Sequence, residues 1–238
     1  MRAKLGRYLK EGDNFLHIGC NVITPKSWIN IDGSWNAWLS RYPLIRKLLW
    51  KLRIIDKETA QYPWPKNILL HDVEQGLPFP DNSVKGLYAS HLLEHFSRTK
   101  AKFFVRECYR VLRSGGVIRL VVPDLRRYIE EYIWMKKEMP ESSLPANRFM
   151  ERLNTCRWHE WEAYRFPLRI YRVLRDFLSH KWMYDRESLM SLLQEAEFED
   201  VSERNFVDSA IPVIADMERD GRFEMSVCVE GHKLHGKS

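Results

Sequence analysis

The sequence Phe15-Leu16-His17-Ile18-Gly19-Cys20-Asn21, followed by Trp28-Ile29-Asn30-Ile31-Asp32, is the stretch that decides the fold. A short apolar strand runs into a glycine turn, and a second apolar strand ends on an acid. In an open parallel sheet this pattern places backbone N–H groups and a carboxylate side by side at the carboxyl ends of two strands. The carboxylate can accept hydrogen bonds from both hydroxyls of a sugar. The pattern therefore predicts a crevice for a ligand that carries a ribose.

Further strands alternate with helical segments, which favours βαβ units and a mostly parallel sheet. The other strand-like runs are Ile68–His71, Val84–Ala89, Val117–Val122, Val201–Val207 and Phe223–Val229. A helical period over Thr99 to Arg113 is predicted to end at Ser114-Gly115-Gly116. Asp185 is placed to cap a later helix. The last two strands, joined by a polar loop around Asp216–Gly221, suit an antiparallel pair at one edge.

The composition indicates a globular protein, because 45% of the 238 residues are hydrophobic and 29% are charged. The formal net charge of +6 is modest, so we expect no nucleic-acid partner. The 4 cysteines are widely spaced without a CxxC pair, which is typical of reduced thiols. The first residues are charged and lack the apolar run of a signal peptide, and no run reaches the roughly 18 apolar residues of a membrane span. We therefore expect a cytoplasmic protein.

An ordered series of motifs follows the opening pair. Its members are His71-Asp72-Val73, Gly76-Leu77-Pro78-Phe79-Pro80-Asp81, Ser90-His91-Leu92-Leu93-Glu94-His95-Phe96, Tyr109-Arg110-Val111-Leu112-Arg113-Ser114-Gly115-Gly116 and Ile118-Arg119-Leu120-Val121-Val122-Pro123-Asp124. The series resembles the class I S-adenosylmethionine-dependent methyltransferases, in particular a type-11-like bacterial group often encoded beside saccharide-modifying enzymes. The resemblance implies a Rossmann-like fold with a mostly parallel seven-stranded sheet. It also implies an antiparallel C-terminal hairpin and a helical insertion after the fifth strand.

The resemblance implies cofactor-binding roles for the opening pair. Gly19, with Cys20 and Asn21, would form the turn under the methionine part of S-adenosylmethionine, and Asp32 would take the ribose hydroxyls. Two features depart from the usual pattern. The loop after the first strand, usually rich in glycine, is here Gly19-Cys20-Asn21-Val22 with a single glycine. The spacing from Gly19 to Asp32 is too short for a full crossover helix.

The same resemblance assigns the later motifs. Asp72 and the backbone of Val73 would hold the adenine, the acid accepting from its exocyclic amine. Ser90 and His91 would lie beside the sulfonium, where the fourth strand opens into the pocket.

A general base helps a hydroxyl to act as a nucleophile, and His91, Glu94 and His95 lie where it is needed. If both histidines are helical, their i, i+4 spacing places them on one face, and either could be the base. The alternative is that Glu94 and His95 form a structural ion pair. Asp124 is a second candidate, while His159 and His180 could enter the site from the inserted segment. His17 and His71 are interpreted as core histidines. His91 and His95 are residue types that bind metals, but no metal site is expected because no acidic pair accompanies them in sequence beyond Glu94.

Two regions interrupt the strand–helix alternation. Residues 125–181 are helical and rich in aromatic residues, and we expect them to form a cap over the site within a single domain spanning residues 1–238. The alternative is a satellite core. The amphipathic basic helix at 44–55 is compatible with peripheral membrane contact or, alternatively, with packing on the sheet.

The sequence thus predicts an enzyme that moves a methyl group from S-adenosylmethionine to a hydroxyl of a saccharide or related small metabolite. One alternative is methyl transfer to a nitrogen or carboxylate of a small metabolite. The other is a catalytically inactive partner subunit with the same fold. Ser90-His91-Leu92-Leu93 stands where enzymes acting on nucleobase amines carry an Asn/Asp-Pro-Pro-aromatic run, which argues against such a substrate.

Overall fold

The sheet of this chain has the predicted order and direction of strands. The computed structural model describes residues 8–9, 11–52, 54–55, 57–62, 64–155, 179–219, 221 and 223–234. Within them lies a seven-stranded sheet in the order β3-β2-β1-β4-β5-β7-β6. The strands are β1 Phe15–Ile18, β2 Ile29–Asp32, β3 Ile68–Leu70, β4 Val84–Ser90, β5 Leu112–Pro123, β6 Glu199–Glu203 and β7 Ser226–Lys233. Strands β1 to β5 are parallel, and β7 is antiparallel to both β5 and β6. This confirms the predicted Rossmann-like fold class.

Helices of 5 to 14 residues surround the sheet. They are α1 Trp35–Ser40, α2 Pro43–Lys51, α3 Lys57–Gln61, α4 Arg98–Val111, α5 Leu125–Glu138, α6 Leu144–Leu153 and α7 Arg186–Gln194. Helix α7 begins as predicted: the side chain of Asp185 accepts a hydrogen bond from the backbone of Ser188, and the Ser188 hydroxyl accepts one from the backbone of Asp185. Among the described residues, no helix combines the length and apolarity required to cross a bilayer.

Helix α4 ends at Val111, so the prediction that it continues to Arg113 and stops at Ser114-Gly115-Gly116 is wrong. Backbone N–H groups of the turn before β4 bond to the carbonyls of Arg110 and Val111. The ammonium of Lys233 donates to the carbonyls of Tyr109 and Leu112. These donors satisfy the end of the helix, and the chain enters β5 directly.

Both faces of the sheet are covered by apolar residues, as expected for strands that are mostly parallel. One face carries Leu16, Ile18, Leu87, Ala89, Ile118 and Leu120, which pack with residues of α4 and α7. The other face carries Phe15, Tyr88, Val117 and Val121, together with Ile211, Ile214 and Met217 from the segment before β7. The carboxyl ends of β1, β2, β3 and β4 therefore sit on a packed base and form one edge of the sheet.

The segment after β5 is helical in its described part, as predicted. Helices α5 and α6 follow β5, and the ion pairs of Glu131 with Arg148 and Arg152 join them. Residues 156–178 lie outside the described residues. The predictions that concern His159 and most aromatic residues of the insertion fall there.

Candidate active site

Asp32 joins the loops that follow β1 and β2. The backbone N–H of Asn21 donates to its Oδ2 at 2.9 Å, and that of Ser34 donates to its Oδ1 at 2.8 Å. The N–H groups of Gly19 and Cys20 both point to the carbonyl of Ile31. These two N–H groups of the turn are therefore engaged in hydrogen bonds to β2. Each carboxylate oxygen of Asp32 keeps a second acceptor position, as two ribose hydroxyls would require.

Gly19 brings the first turn against the segment after β4. Its φ of +71° lies in the left-handed region, and a Cβ built there would be 3.3 Å from Cδ1 of Leu92. A larger residue would be strained and crowded at this position. The neighbouring Cys20 is buried, which raises the pKa of its thiol, and the Asp32 carboxylate adds to this effect. Cys20 is therefore a protonated thiol without nucleophilic character.

Gly33 is a site residue that the sequence analysis missed. A Cβ at this position would lie 2.5 Å from the carbonyl oxygen of His71 and 2.9 Å from Cα of Asp72. Only glycine permits this approach, which places the loops after β2 and β3 against each other. The signal in the sequence is the position of Gly33 directly after the acid of β2.

Asp72 is exposed at the carboxyl end of β3, where it caps a single helical turn, Val73–Gln75. Its Oδ1 accepts from the backbone of Glu74, and its Oδ2 accepts from the Gln75 amide. The Val73 side chain is buried beneath this turn. Asp72 and Asp32 thus share one edge of the sheet, as predicted.

The histidines after β4 do not lie on one helix, so the condition under which His91 and His95 would share a face is not met. His91 has a φ of 51°, in the left-handed region, and its N–H donates to the carbonyl of Val121. Only the short turn Leu93–His95 is helical. The half-exposed imidazole of His91 has its Nδ1 at 3.5 Å from Oε1 of Glu94 and its Nε2 at 3.4 Å from the Ser226 hydroxyl. Ser90 is buried behind it.

Glu94, His95 and His180 form a cluster next to His91. Glu94 is 1% exposed, and among the residues that the structure describes neither of its carboxylate oxygens has a hydrogen-bond partner. The rings of His95 and His180 lie 5.2 Å apart and edge-on. One nitrogen or oxygen atom from each of the three residues lies within 4.8 Å of the others, a set that could hold a metal ion. Burial lowers the pKa of His180, while the charge of Glu94 opposes this effect.

Other predicted residues have structural partners. The rings of His17 and His71 donate to the carbonyls of Ile23 and Gly76, which confirms them as core histidines. Asp124 caps α5 by accepting from the N–H of Arg126. Burial raises the pKa of Asp124, with that hydrogen bond opposing the rise. Because its carboxylate is engaged in the cap, Asp124 is the weaker candidate for a base.

An open depression of about 680 Å³ lies beside the loop between β1 and β2, lined by residues 22–27, Asp216 and Arg219. None of the predicted cofactor-binding or catalytic residues lines it. The convergence of Asp32, Gly33 and Asp72 at the carboxyl edge of the sheet is the better indicator of a site, because ligands of open α/β sheets bind at that edge.

One part of the chain is similar to a known protein family. Residues 51–120 match a family described as a methyltransferase domain. No curated protein matches the chain. Among solved structures, an S-adenosylmethionine-dependent methyltransferase from Methanosarcina mazei shares 16% identity over 97% of both chains, with a TM-score of 0.48.

Two other solved structures are similar at the same level. A Thermotoga maritima methyltransferase, described as a possible histamine N-methyltransferase, is 15% identical over 98% of this chain and 87% of its own, with a TM-score of 0.46. A Haloferax volcanii methyltransferase in complex with the Trm112 activator is 12% identical over 98% of this chain and 94% of the other, also at 0.46. Likenesses this distant say nothing about substrate or partner. The strand order confirms the predicted Rossmann-like fold. The match over residues 51–120 supports the prediction of a methyltransferase that uses S-adenosylmethionine.

Proposed function

We propose that this chain acts in the cytoplasm and transfers a methyl group from S-adenosylmethionine to a hydroxyl of a saccharide or related small metabolite. The observation that carries the proposal is the contact between Gly19 and Leu92. It places the turn assigned to the cofactor against the segment that supplies His91, Glu94 and His95. The saccharide class of acceptor rests on the resemblance of the motif series to enzymes of saccharide modification.

The residues at the edge of the sheet fit the cofactor. The Asp32 carboxylate is held by two backbone N–H groups and keeps two acceptor positions for the ribose hydroxyls. Asp72, exposed at the end of β3, accepts from the adenine amine. Gly19, Cys20, Asn21, Val73, Ser90 and His91 complete the cofactor contacts. When bound, S-adenosylmethionine supplies a methyl group activated by a positively charged sulfur.

His91 is the proposed general base. Its Nδ1 lies 3.5 Å from the buried carboxylate of Glu94, which orients the ring, and 33% of its side chain is exposed. The base removes the proton of the acceptor hydroxyl as the oxygen attacks, which typically contributes a factor of about 10² to 10⁴ in rate. His95, further along the same turn, is the alternative base.

Calorimetric titration with S-adenosylmethionine and S-adenosylhomocysteine tests the pocket. We expect micromolar binding by the full chain and a loss of at least about tenfold in Asp32→Asn, since the amide nitrogen cannot accept a hydrogen bond. Asp200→Asn, at an exposed position on β6, is the matched control and keeps full affinity. Equal affinity of the Asp32 and Asp200 variants would show that the cofactor pocket is assigned to the wrong residues.

Methyl uptake into nucleotide sugars and lipid-linked saccharides tests the reaction. We expect turnover to fall by a factor of about 10² or more in His91→Ala and to recover partly at high pH, where the acceptor hydroxyl ionises unaided. His232→Asn, on the opposite edge of the sheet, serves as a control with unchanged turnover. Full turnover by both His91→Ala and His95→Ala would exclude these two residues as the base.

The same assay separates the other functions. Methyl uptake only into amines or carboxylates would show that the acceptor is one of these groups and not a hydroxyl. Tight cofactor binding without uptake into any acceptor would favour an inactive partner subunit.

Residues 125–181 are proposed to cap this site within a single domain of residues 1–238. Supporting this, the backbone N–H groups of Lys181 and Trp182 donate to the carbonyl of Glu94. The end of the insertion is thus fastened to the turn that carries the proposed catalytic residues.

Helix α2 is proposed to contact an anionic membrane surface. No residue of this helix is buried, so packing on the sheet does not account for its apolar stripe. Leu44 is 82% exposed and Leu48 is 54% exposed, while Lys47 and Lys51 add positive charge. We expect co-sedimentation with vesicles that contain phosphatidylglycerol, and its loss in Leu44→Asp/Leu48→Asp. Ile133→Asp, an equally exposed apolar position on α5, is the control, and binding that survives the double change would refute the contact.

A further inference from the structure

Glu94 is a buried carboxylate that receives no hydrogen bond from the described residues. It is 1% exposed, and within that part of the chain neither oxygen atom has a hydrogen-bond partner. Nδ1 of His91 lies at 3.5 Å from one of them, which is an ion-pair distance without hydrogen-bond geometry. A carboxylate removed from water in this way is costly unless a cation compensates it. The position therefore favours a bound positive ion.

His95 is oriented as metal-binding histidines are. Its Nδ1 lies 3.3 Å from the carbonyl oxygen of Ser179. Since a carbonyl only accepts, Nδ1 carries the proton, and Nε2 of the neutral ring keeps its lone pair. A ring nitrogen that donates to a backbone carbonyl while the other faces outward is the usual arrangement around a metal site.

His180 is held firmly beside this turn. Its backbone N–H donates to the carbonyl of Asn154 at the end of α6, and its Nδ1 is buried with no partner at hydrogen-bond geometry in the described part of the chain. The next two residues, Lys181 and Trp182, donate to the carbonyl of Glu94 at 2.7 and 3.2 Å. The backbone thus fixes the distance between the segment of His180 and the turn of Glu94 and His95.

We propose that Glu94, His95 and His180 bind a divalent first-row transition metal ion of the Zn²⁺ type. Two imidazoles and one carboxylate suit such an ion better than Mg²⁺ or Ca²⁺, which prefer oxygen ligands. A tetrahedral zinc site places ligand atoms about 3.4 Å apart, so the three atoms, now within 4.8 Å, need only side-chain rotation to close on the ion. Three protein ligands leave a coordination position open for water or for an acceptor oxygen.

This inference replaces the expectation of no metal and goes beyond the proposed function. In the sequence, no acidic pair beyond Glu94 accompanies His91 and His95, and His180 lies in a separate segment. The fold brings His180 to the turn after β4. Metal binding is measured without any methyl transfer, so its failure is distinguishable from failure of the cofactor pocket.

The test uses the full chain after treatment with a chelator. Titration with Zn²⁺ and Co²⁺, followed by calorimetry and by the visible absorption of bound Co²⁺, is expected to show a single saturating site. Glu94→Gln and His180→Asn should each lose affinity by a factor on the order of 10 to 100 or more. His232→Asn, at the opposite edge of the sheet, keeps the affinity of the unaltered chain.

Equal Zn²⁺ affinity of the unaltered chain and the folded Glu94→Gln variant would overturn the proposal. X-ray absorption of the unaltered chain loaded with Zn²⁺ gives a second readout that does not depend on any variant. Two imidazole ligands with one carboxylate support the site, whereas a shell of water or sulfur refutes it.

Discussion

Two clusters of buried charge lie on this one sheet, and they differ in how their carboxylates are satisfied. In the Arg119 cluster, the guanidinium lies 2.5 Å from Glu218 and 3.0 Å from Glu230, and all three side chains are fully buried. Its remaining N–H groups donate to the carbonyls of Asn205 and Asp208. In the Glu94 cluster, the carboxylate is equally buried but has no hydrogen bond. The first cluster is complete within the protein, and the second is complete only with a cation.

The difference separates a structural role from a functional one. The Arg119 cluster ties the centre of β5 to β7 and to the loop before β7, so it holds the sheet and the segment covering it together. The Glu94 cluster lies at the carboxyl edge of β4, where a ligand can reach it. A protein retains an unsatisfied buried carboxylate at a cost to stability, and such a cost is typical of sites that bind something.

The largest expected effect comes from breaking the satisfied cluster. Arg119→Met leaves Glu218 and Glu230 buried without their cation, and we expect the free energy of unfolding to fall by about 3–5 kcal/mol in chemical denaturation. Arg186→Met is the matched control, because Arg186 pairs with Glu187 on the surface, where solvent screens the pair, and the substitution should leave the denaturation midpoint nearly unchanged. A loss of less than about 1 kcal/mol for Arg119→Met would mean that the cluster does not stabilise the fold.

A neutral substitution in the satisfied cluster should have a smaller effect of the same sign. Glu230→Gln keeps the shape of the side chain but weakens its hydrogen bonds with Arg119 and with the backbone of Ala210. We expect the free energy of unfolding to fall by about 2 kcal/mol, since hydrogen bonds to charged groups are involved. Urea denaturation measures it, and an unchanged midpoint would contradict the assignment.

The same substitution in the unsatisfied cluster should have the opposite sign. Glu94→Gln removes a buried charge that has the His91 ring at 3.5 Å but no hydrogen bond from the described residues. In the presence of a chelator we therefore expect the free energy of unfolding to rise by about 1 kcal/mol. Urea denaturation with and without chelator measures the change. If Glu94→Gln were destabilising to the same degree as Glu230→Gln, the two clusters would be equivalent and the contrast between them would disappear.

The sheet and the edge that carries the site were predictable because they depend on local patterns. The apolar runs of β1 and β2, the glycine turn and the terminal acid each follow from a few neighbouring residues. The placement of Asp32 and Asp72 at one edge then follows from the parallel strands. The end of α4 was not predictable in the same way, because its last carbonyls are satisfied by Lys233 from the other end of the chain.

The Glu94 cluster was hidden for a related reason. His180 comes from a distant segment, and the hydrogen bonds of Lys181 and Trp182 to the Glu94 carbonyl bring it to the turn. The left-handed backbone of His91 could not be predicted either, because the i, i+4 spacing of His91 and His95 is also compatible with a helix. The buried ion pairs of Arg119 could not be predicted from its apolar strand, because its partners lie in the segment before β7 and in β7 itself.

The two N–H groups that hold the Asp32 carboxylate have a consequence for the thermodynamics of cofactor binding. The loops after β1 and β2 are already cross-linked before a ligand arrives, and Gly33 locks the loop after β3 against them. Little conformational entropy then remains to be lost when the nucleoside binds. The edge of the sheet acts as a rigid template, so affinity differences between the cofactor and its demethylated product reflect contacts at the sulfur rather than ordering of the loops.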